Sequence, residues 1–339
     1  MIEITPGIYQ LTLPNPPYAA LRYVNAYLIQ GNDGYLLIDT GWDDEALASL
    51  QKQLTKIGID FKDISQIVIT HTHPDHYGLA SRLKQLSGAK LALHHLEIDV
   101  IESRYSDETN FLSRLDQWWH VNGVSVIEAK KFREDFQKIT RIFISPVLPD
   151  VTLHGGETIS TGVFNLQILE TPGHSIGHIS LYEPNQKILF TGDHILPNIT
   201  TNIGISLLFS QSCANPLDDY LNSLNQIKEL EVKLVLPGHE NRFAGLKRRI
   251  EKLIQHQKQR TAEVAKVLKT EPKTAYQIAT ELTWLPDVKG VGWQDLDLWS
   301  QRLAITETAA HLESMRFGGK ADKFYRDSVA YYSSVDTAK

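Results

Sequence analysis

The chain has 339 residues, which is more than one small core accommodates, so two domains, or one large domain with an appendage, are expected. A composition of 42% hydrophobic and 22% charged residues is that of a globular protein, and a net charge of −6 argues against a dedicated nucleic-acid binder. The single cysteine, Cys213, excludes an internal disulfide framework. No run approaches the roughly 20 apolar residues of a membrane span, and no secretory signal is visible. We therefore expect a cytoplasmic protein without a membrane partner.

The first third of the chain alternates short strands with helices. "NAYLIQ" and "YLLIDT" flank "GNDG", a hairpin signal. "DDEALASLQKQLTKIG" has helical spacing and ends at Gly58, which predicts a helix with a glycine cap. "ISQIVIT" predicts a buried strand that leads into "HTHPDH" at residues 71–76, and the helix "GLASRLKQLSG" follows. We predict an α+β fold for this part.

Residues 97–148 interrupt the alternation with two amphipathic helices, predicted from "DETNFLSRLDQWWHVNG" and "VIEAKKFREDFQKITRI". Their aromatic residues allow two interpretations. Either they line an apolar lid in which Trp118 and Trp119 contact a substrate, or they form the internal core of the helix pair. The pattern does not decide between the two.

Strands return after the insertion in "FNLQILET", "HISLYEP" and "KILFTGD", and "VKLVLPG" follows a further helix. From about Arg242 the chain is helical, and three helices followed by the hairpin-like "KFYRDSVAYYS" form a winged-helix pattern. We therefore expect a catalytic domain over residues 1–257 and a small winged-helix-like domain over 258–339. Net charge is negative before residue 241 and positive after it, which fits two units with different surfaces.

Polar residues end apolar strands in five places, where layered α/β proteins place their active sites. They are Asp39, the cluster from His71 to His76, His174, Asp193 and His239. His71, His73 and His174 supply one set of donors, Asp75, His76 and His239 a second, and Asp193 can bridge them. A site rich in nitrogen and free of thiolate suits zinc, with iron or manganese as alternatives. Two cations would also remove the repulsion among the imidazoles.

The motifs "HTHPDH", "TPGHS", "TGD" and "PGHE", together with "LLIDTG", resemble the metallo-β-lactamase superfamily over residues 1–257. The resemblance implies a four-layer αββα sandwich with two metal ions at one edge of the sheets. By this pattern His71, His73 and His174 would hold the first metal. Asp75, His76 and His239 would hold the second, with Asp193 between the two. Asp39 would support a ligand without binding metal, and His178 and His194 are further candidates for that role.

The C-terminal pattern is similar to the winged-helix appendage of a branch that includes glyoxalase II-like and lactamase-β-2-like proteins. Two departures from related patterns bear on the chemistry. No cysteine occupies a ligand position, which argues against the lactamase class with a thiolate ligand. His73 stands where family enzymes that bind iron and reduce oxygen often have an acid, which disfavours a diiron site.

The predicted function is that of a dinuclear zinc-dependent hydrolase. A metal-bound hydroxide would attack an ester, thioester or lactone carbonyl of a small molecule, with Asp75 orienting the nucleophile and moving a proton. One alternative is a single-stranded RNA endonuclease, for which the run Lys247, Arg248 and Arg249 would hold the RNA. Another is an iron-dependent sulfur dioxygenase. A homodimer is a further expectation, with the C-terminal helices used for packing.

Overall fold

The computed structural model describes residues 1–17, 19, 21–139, 144–204, 215–284 and 290–335, so Cys213 lies outside the described part. The chain divides into two compact units, each assembled from separate segments. The first unit comprises Met1–Ser106, Ile142–Thr201 and Ser223–Ile250, and the second comprises Asp107–Arg141, Asn202–Asn222 and Glu251–Lys339.

Two sheets form the frame of the first unit. The seven strands of the larger sheet lie in chain order: β1 (Ile2–Thr5), β2 (Ile8–Pro14), β3 (Tyr23–Gly31), β4 (Gly34–Ile38), β5 (Ile64–Val68), β6 (Lys90–His94) and β7 (Val151–Leu153). The smaller sheet has the order β12-β11-β10-β9-β8, built from β8 (Thr158–Ser160), β9 (Asn165–Glu170), β10 (Ile179–Glu183), β11 (Ile188–Gly192) and β12 (Leu234–Pro237). In the larger sheet, strands β4 to β7 run parallel to one another.

The helices, in chain order, are α1 (Asp44–Thr55), α2 (Pro74–Tyr77), α3 (Ala80–Ser87), α4 (Leu96–Ile101), α5 (Glu108–Val121), α6 (Val126–Ile139), α7 (Pro216–Lys228), α8 (Leu246–Leu268), α9 (Ala275–Glu281) and α10 (Leu298–Phe317). Local sequence explains where they start and stop. The side chain of Asp43 accepts a hydrogen bond from the amide of Ala46 and caps α1. Gly88, with φ at +75°, ends α3 in the left-handed conformation that glycine tolerates.

Strand periodicity assigns alternate side chains of the larger sheet to two cores. In β4, Leu36 and Ile38 join a cluster with Leu166, Ile168 and other residues of the smaller sheet, so the two sheets share one apolar layer. The intervening Leu37 faces the opposite cluster, which contains residues of α1 and α3. The larger sheet is therefore covered on both faces, as its nearly continuous apolar strands require.

The second unit has a core of its own, built from α5, α6, α8, α9, α10 and the hairpin of β13 (Ala321–Arg326) and β14 (Val329–Ser334). Trp119 and Phe132 from the two inserted helices pack in one cluster with Ile278, Ile305 and Leu312. Arg302 of α10 ties the same elements together, because its guanidinium donates to the carbonyl of Phe132 at 2.6 Å.

The division differs from the expected domain boundaries. We expected residues 97–148 to belong to the catalytic domain, but 107–141 share a core with residues 251–339 instead. The physical reason is that the apolar faces of α5 and α6 exceed what the pair can bury against itself, and the C-terminal helices complete them. The three helices and the hairpin predicted for the C-terminal part are present. Their winged-helix assignment stays a prediction.

Within the described residues, none of the helices is both long enough and apolar enough to span a bilayer.

Candidate metal centre

The candidate ligands follow the ends of strands in the first unit. β5 delivers the chain to His71, and His73 precedes α2, whose first residue is Pro74. Proline suits this position because the first amide of a helix needs no partner. Asp193 and His239 follow two strand ends, Gly192 and Pro237, that are partners in the parallel β11–β12 ladder, just after a shift in its register. The topology therefore brings together ligands that are distant in sequence.

Three imidazoles converge on one point. His73 Nδ1 lies 3.0 Å from His71 Nε2 and 2.9 Å from His174 Nε2. Zinc–nitrogen bonds of roughly 2.05 Å in a tetrahedral site would set such nitrogens about 3.3 Å apart, so an outward shift of a few tenths of an ångström admits an ion. The set matches the one expected for the first metal.

A second set of donors lies beside the first. His239 Nε2 is 3.2 Å from Asp75 Oδ2 and 3.3 Å from Asp193 Oδ2, and His76 Nε2 is 3.4 Å from Asp193 Oδ1. Asp193 Oδ2 is also 3.7 Å from His174 Nε2. Asp193 thus reaches both sets, as the bridging assignment requires.

Orphaned polar atoms test whether a cation fits here. Among the described residues, the buried atoms His76 Nε2 and Asp193 Oδ1 have no hydrogen-bond partner, although they face each other. Buried polar atoms are almost always hydrogen-bonded, because an unpaired one costs about 1–3 kcal/mol. A metal ion would satisfy both atoms at once. The nitrogen-rich, thiolate-free donor set suits zinc.

The electrostatics of the two sets differ. Burial, with the neighbouring imidazoles adding to it, holds the pKa of His71 and of His73 well below the usual range, so both rings are neutral and can donate lone pairs. Burial also disfavours charge on His76, but the carboxylates around it outweigh that effect and raise its pKa well above the ordinary value. The same balance raises the pKa of His239 to about 10. The acidic set therefore requires positive charge, which an ion supplies.

Asp39 contacts the candidate ligand His76. Its Oδ2 accepts a hydrogen bond from His76 Nδ1 at 2.8 Å, and its Oδ1 accepts one from the amide of Thr70 at 2.8 Å. With Nδ1 protonated by this contact, Nε2 is the His76 atom that faces the second donor set, and an ion bound there would displace its proton. Asp39 is 2% exposed and contacts none of the other candidate ligands through a hydrogen bond described in the structure.

His178 and His194 lie behind Asp193. His178 Nε2 accepts a hydrogen bond from the Asp193 amide at 3.2 Å, while its Nδ1 contacts the Thr171 hydroxyl at 2.7 Å. His194 is fully buried, its ring centroid is 5.7 Å from that of His178, and burial lowers its pKa to about 3. His178 thus fixes the backbone of Asp193, and His194 packs a neutral ring beside it.

Close backbone packing around Asp193 requires glycine. A Cβ at Gly238 would lie 2.5 Å from Asp193 Oδ1 and 2.8 Å from His76 Cε1. The "PGHE" motif therefore contributes to the site in two ways: it supplies His239, and its glycine leaves space for the Asp193 carboxylate.

Sequence reasoning missed two polar residues at this site. Asn15, 7% exposed, donates from Nδ2 to Asp75 Oδ2 at 3.2 Å. Glu97, fully buried, accepts hydrogen bonds from Thr72, which lies between His71 and His73, and from Gly177, three residues after His174. The signals were slight: an asparagine between two prolines and an acid within the apolar stretch "HHLEIDV".

The structure argues against substrate binding by Trp119, which is 1% exposed in the core of the second unit and leaves no surface for a substrate. Trp118 packs against the same core but is only partly buried, so its substrate-binding role stays a prediction. The structure also bears on the basic run Lys247, Arg248 and Arg249, which the nuclease alternative assigns to RNA binding. Arg249 donates to the carbonyls of Leu196 and Ile199, both at 2.6 Å, so it holds a loop of the first unit.

Comparison with known proteins identifies the family. The model of the metallo-β-lactamase superfamily matches residues 19–239. The chain belongs to this superfamily. It is 26% identical to the probable metallo-hydrolase YqjP of Bacillus subtilis, with 98% of this chain and 99% of the relative covered. It is 28% identical to the human acyl-coenzyme A thioesterase MBLAC2, with 67% of this chain and 77% of the relative covered.

A solved metallo-β-lactamase family protein from Thermus thermophilus superposes with a TM-score of 0.80 at 28% identity, covering 98% of this chain and all of that one. The expected αββα metallo-β-lactamase fold is thereby confirmed. The chain is a metal-dependent hydrolase of this superfamily, and its fold together with the His/Asp clusters implies binding of divalent metal.

Proposed function

We propose that this superfamily member is a dinuclear zinc-dependent thioesterase acting on acyl thioesters of the coenzyme A type. The observation that carries the proposal is the pair of donor sets joined at Asp193, which provides places for two ions and contains no thiolate. Similarity to the acyl-coenzyme A thioesterase MBLAC2 favours a thioester over an ester or a lactone.

In the proposed reaction, Asp75 and Asn15 have roles distinct from those of the ions. When bound, two divalent ions supply an ionised water near neutral pH and stabilise negative charge on the substrate oxygen. Asp75 lies at the edge of the second donor set, and the hydrogen bond from Asn15 Nδ2 fixes its Oδ2. Its Oδ1, 3.9 Å from His76 Nε2, can accept a proton from the nucleophile and pass it to the leaving thiolate.

A cation beside the first donor set supports an anionic substrate. Arg104 lies on the π-helical turn Glu102–Ser106, where Tyr105 donates from its hydroxyl to the carbonyl of Thr72 at 2.7 Å. The Arg104 guanidinium is 5.4 Å from the Tyr105 ring centre, and its charge adds to burial and to His174 in lowering the pKa of His73. A half-buried guanidinium suits the phosphates of coenzyme A.

The test is thiol release from a panel of acyl-coenzyme A substrates of increasing chain length, measured with a thiol-reactive chromophore alongside the metal content of the protein. We expect hydrolysis by the zinc-loaded protein, loss after chelation and recovery when zinc is restored. His174→Ala should abolish activity. The control His154→Ala, at an exposed histidine outside the site, should retain it.

Two further results bear on the substrate. Arg104→Ala should raise KM for acyl-coenzyme A by about 10-fold and leave kcat nearly unchanged. The size of the effect corresponds to the loss of one charged hydrogen bond or ion pair. Fully loaded protein that releases no thiol from any acyl-coenzyme A, but cleaves RNA, a lactone or an oxygen ester, would overturn the thioesterase assignment.

A further inference from the structure

Glu97 joins the two loops that carry the three-histidine set. It lies in the first turn of α4 and is fully buried. Its Oε2 accepts from the amide of Thr72 at 2.9 Å and from the Thr72 hydroxyl, and its Oε1 accepts from the amide of Gly177 at 2.9 Å. Both carboxylate oxygens are therefore used.

The two partners of Glu97 have a specific relation to the ligands. Thr72 stands between His71 and His73, and Gly177 follows His174 by three residues. One side chain thus bonds the backbone of both segments that supply the three nitrogens. In the described part of the chain, none of its hydrogen bonds reaches Asp75, His76 or His239.

Packing leaves this contact little freedom. A Cβ at Gly177 would lie 2.8 Å from Glu97 Cγ and 2.9 Å from His94 Nδ1, so the backbone at this position rests directly on the acid. Thr72 is 1% exposed. Hydrogen bonds to a carboxylate are strong when they are buried, because water does not compete for the donors.

We propose that Glu97 is a positioning residue that sets the spacing between His174 and the His71–His73 pair, and so tunes the affinity of the three-histidine set for its ion. This inference rests on the proposed metal centre. Glu97 touches neither the ion nor the substrate. Removing the Glu97 side chain should lower the affinity for one of the two ions and leave the affinity for the other unchanged, because the hydrogen bonds of Glu97 reach only one of the two donor sets.

The variants are Glu97→Ala, Glu97→Gln and Thr72→Val. Alanine removes all three hydrogen bonds, glutamine places an amide donor against a backbone donor, and valine removes only the hydroxyl bond. The matched control is Glu183→Gln in β10. Glu183 is 1% exposed and accepts from the amide of Gln186 at 2.6 Å, but its partners are not next to a ligand.

Two readouts separate positioning from general stability. The first is competition between apo-protein and a chromophoric chelator for zinc, which resolves the two equivalents. The second is the visible absorption of the cobalt-substituted protein, which reports the ligand geometry of each site. For Glu97→Ala we expect one equivalent to weaken by about 10- to 100-fold, the usual effect of losing a partner of the ligand shell, with a changed cobalt spectrum. Thr72→Val should show a smaller loss in the same equivalent.

The outcomes are distinguishable. If the parent protein binds no metal, the proposed function fails, and this inference fails with it. If the parent binds two ions and Glu97→Ala binds both with parental affinity and spectrum, only the role of Glu97 is overturned. The role of Glu97 would also be overturned if Glu97→Ala lowered the affinity for both ions equally and Glu183→Gln did the same. If Glu97→Ala does not fold, Thr72→Val and Glu97→Gln decide by the same criteria.

Discussion

Replacing Asp39 with asparagine should disable one ligand without touching the metal centre. In Asp39→Asn the amide oxygen can take the place of Oδ1 and keep the bond from the Thr70 amide. The amide nitrogen then occupies the position of Oδ2, 2.8 Å from His76 Nδ1. Two donors cannot share this contact, so His76 must move its proton to Nε2, the atom that faces the second donor set.

The size of the effect follows from the contact that is lost. A hydrogen bond to a charged group contributes about 1.5–3 kcal/mol, which corresponds to roughly 10- to 150-fold in an equilibrium constant. Losses of about 10- to 100-fold in metal affinity are typical when such a partner is removed, so both estimates agree. We expect Asp39→Asn to weaken one zinc equivalent by this factor and to leave the other near its parental affinity.

The assay is zinc competition against a chromophoric chelator at pH 7, followed by thiol release at saturating zinc. Thr70→Val is a companion variant, because it removes the contacts of the Thr70 hydroxyl with Asp39 and with His71 Nδ1 and keeps the bond between the carboxylate and His76. It should leave the equivalent held by Asp75, His76 and His239 near its parental affinity, so it separates the loss of the Asp39–His76 bond from effects on the three-histidine set. An Asp39→Asn protein that is folded and holds two ions as tightly as the parent would refute the reasoning.

Three other changes have defined outcomes. Asp193→Ala should lose both ions, because Asp193 reaches each donor set, and metal analysis after dialysis checks this. Burial holds the pKa of His311 at about 3, so the unfolded chain binds a proton below pH 6.5 that the folded chain rejects. Lowering the pH from 7 to 5 should therefore cost the parent about 2 kcal/mol more stability than His311→Gln, measured by urea unfolding. Reversing the exposed Lys247 and Arg248 to Glu, with Arg249 kept, should leave thioester hydrolysis within about threefold, since these charges are screened surface groups. Salt-sensitive RNA cleavage by the parent that disappears in this double variant would instead favour the nuclease alternative.

The clustering of these side chains was predictable because the segments that carry them follow strands with a clear apolar pattern. "ISQIVIT" leads to the segment from His71 to His76, and "KILFTGD" ends at Asp193. The sheet topology then brings Asp193 and His239 close together, because the adjacent parallel strands β11 and β12 end side by side. The supporting role of Asp39 came from the family resemblance, and its contact with His76 is known only from the structure.

The partners of the inserted helices and the role of Glu97 could not be predicted. An amphipathic pattern shows that a helix has an apolar face but not what covers it, and the face carrying Trp119 is completed by residues more than 140 positions later, such as Val264 and Leu312. An acid in the first turn of a helix is ordinarily exposed to solvent, so the sequence does not single out Glu97. Its burial depends on how closely two distant loops approach, which periodicity does not encode.

The composition of the second unit has a consequence for the order in which the chain folds. Its core joins residues near position 120 with residues near position 310, so on the ribosome the inserted helices emerge long before the segments that cover them. During that interval Trp119 and Phe132 remain exposed to solvent, and such non-local closure is slow and prone to association with other chains. A protein shortened to residues 1–257 would keep every candidate ligand but would carry this uncovered aromatic surface permanently. Its solubility, more than its metal site, would limit its use.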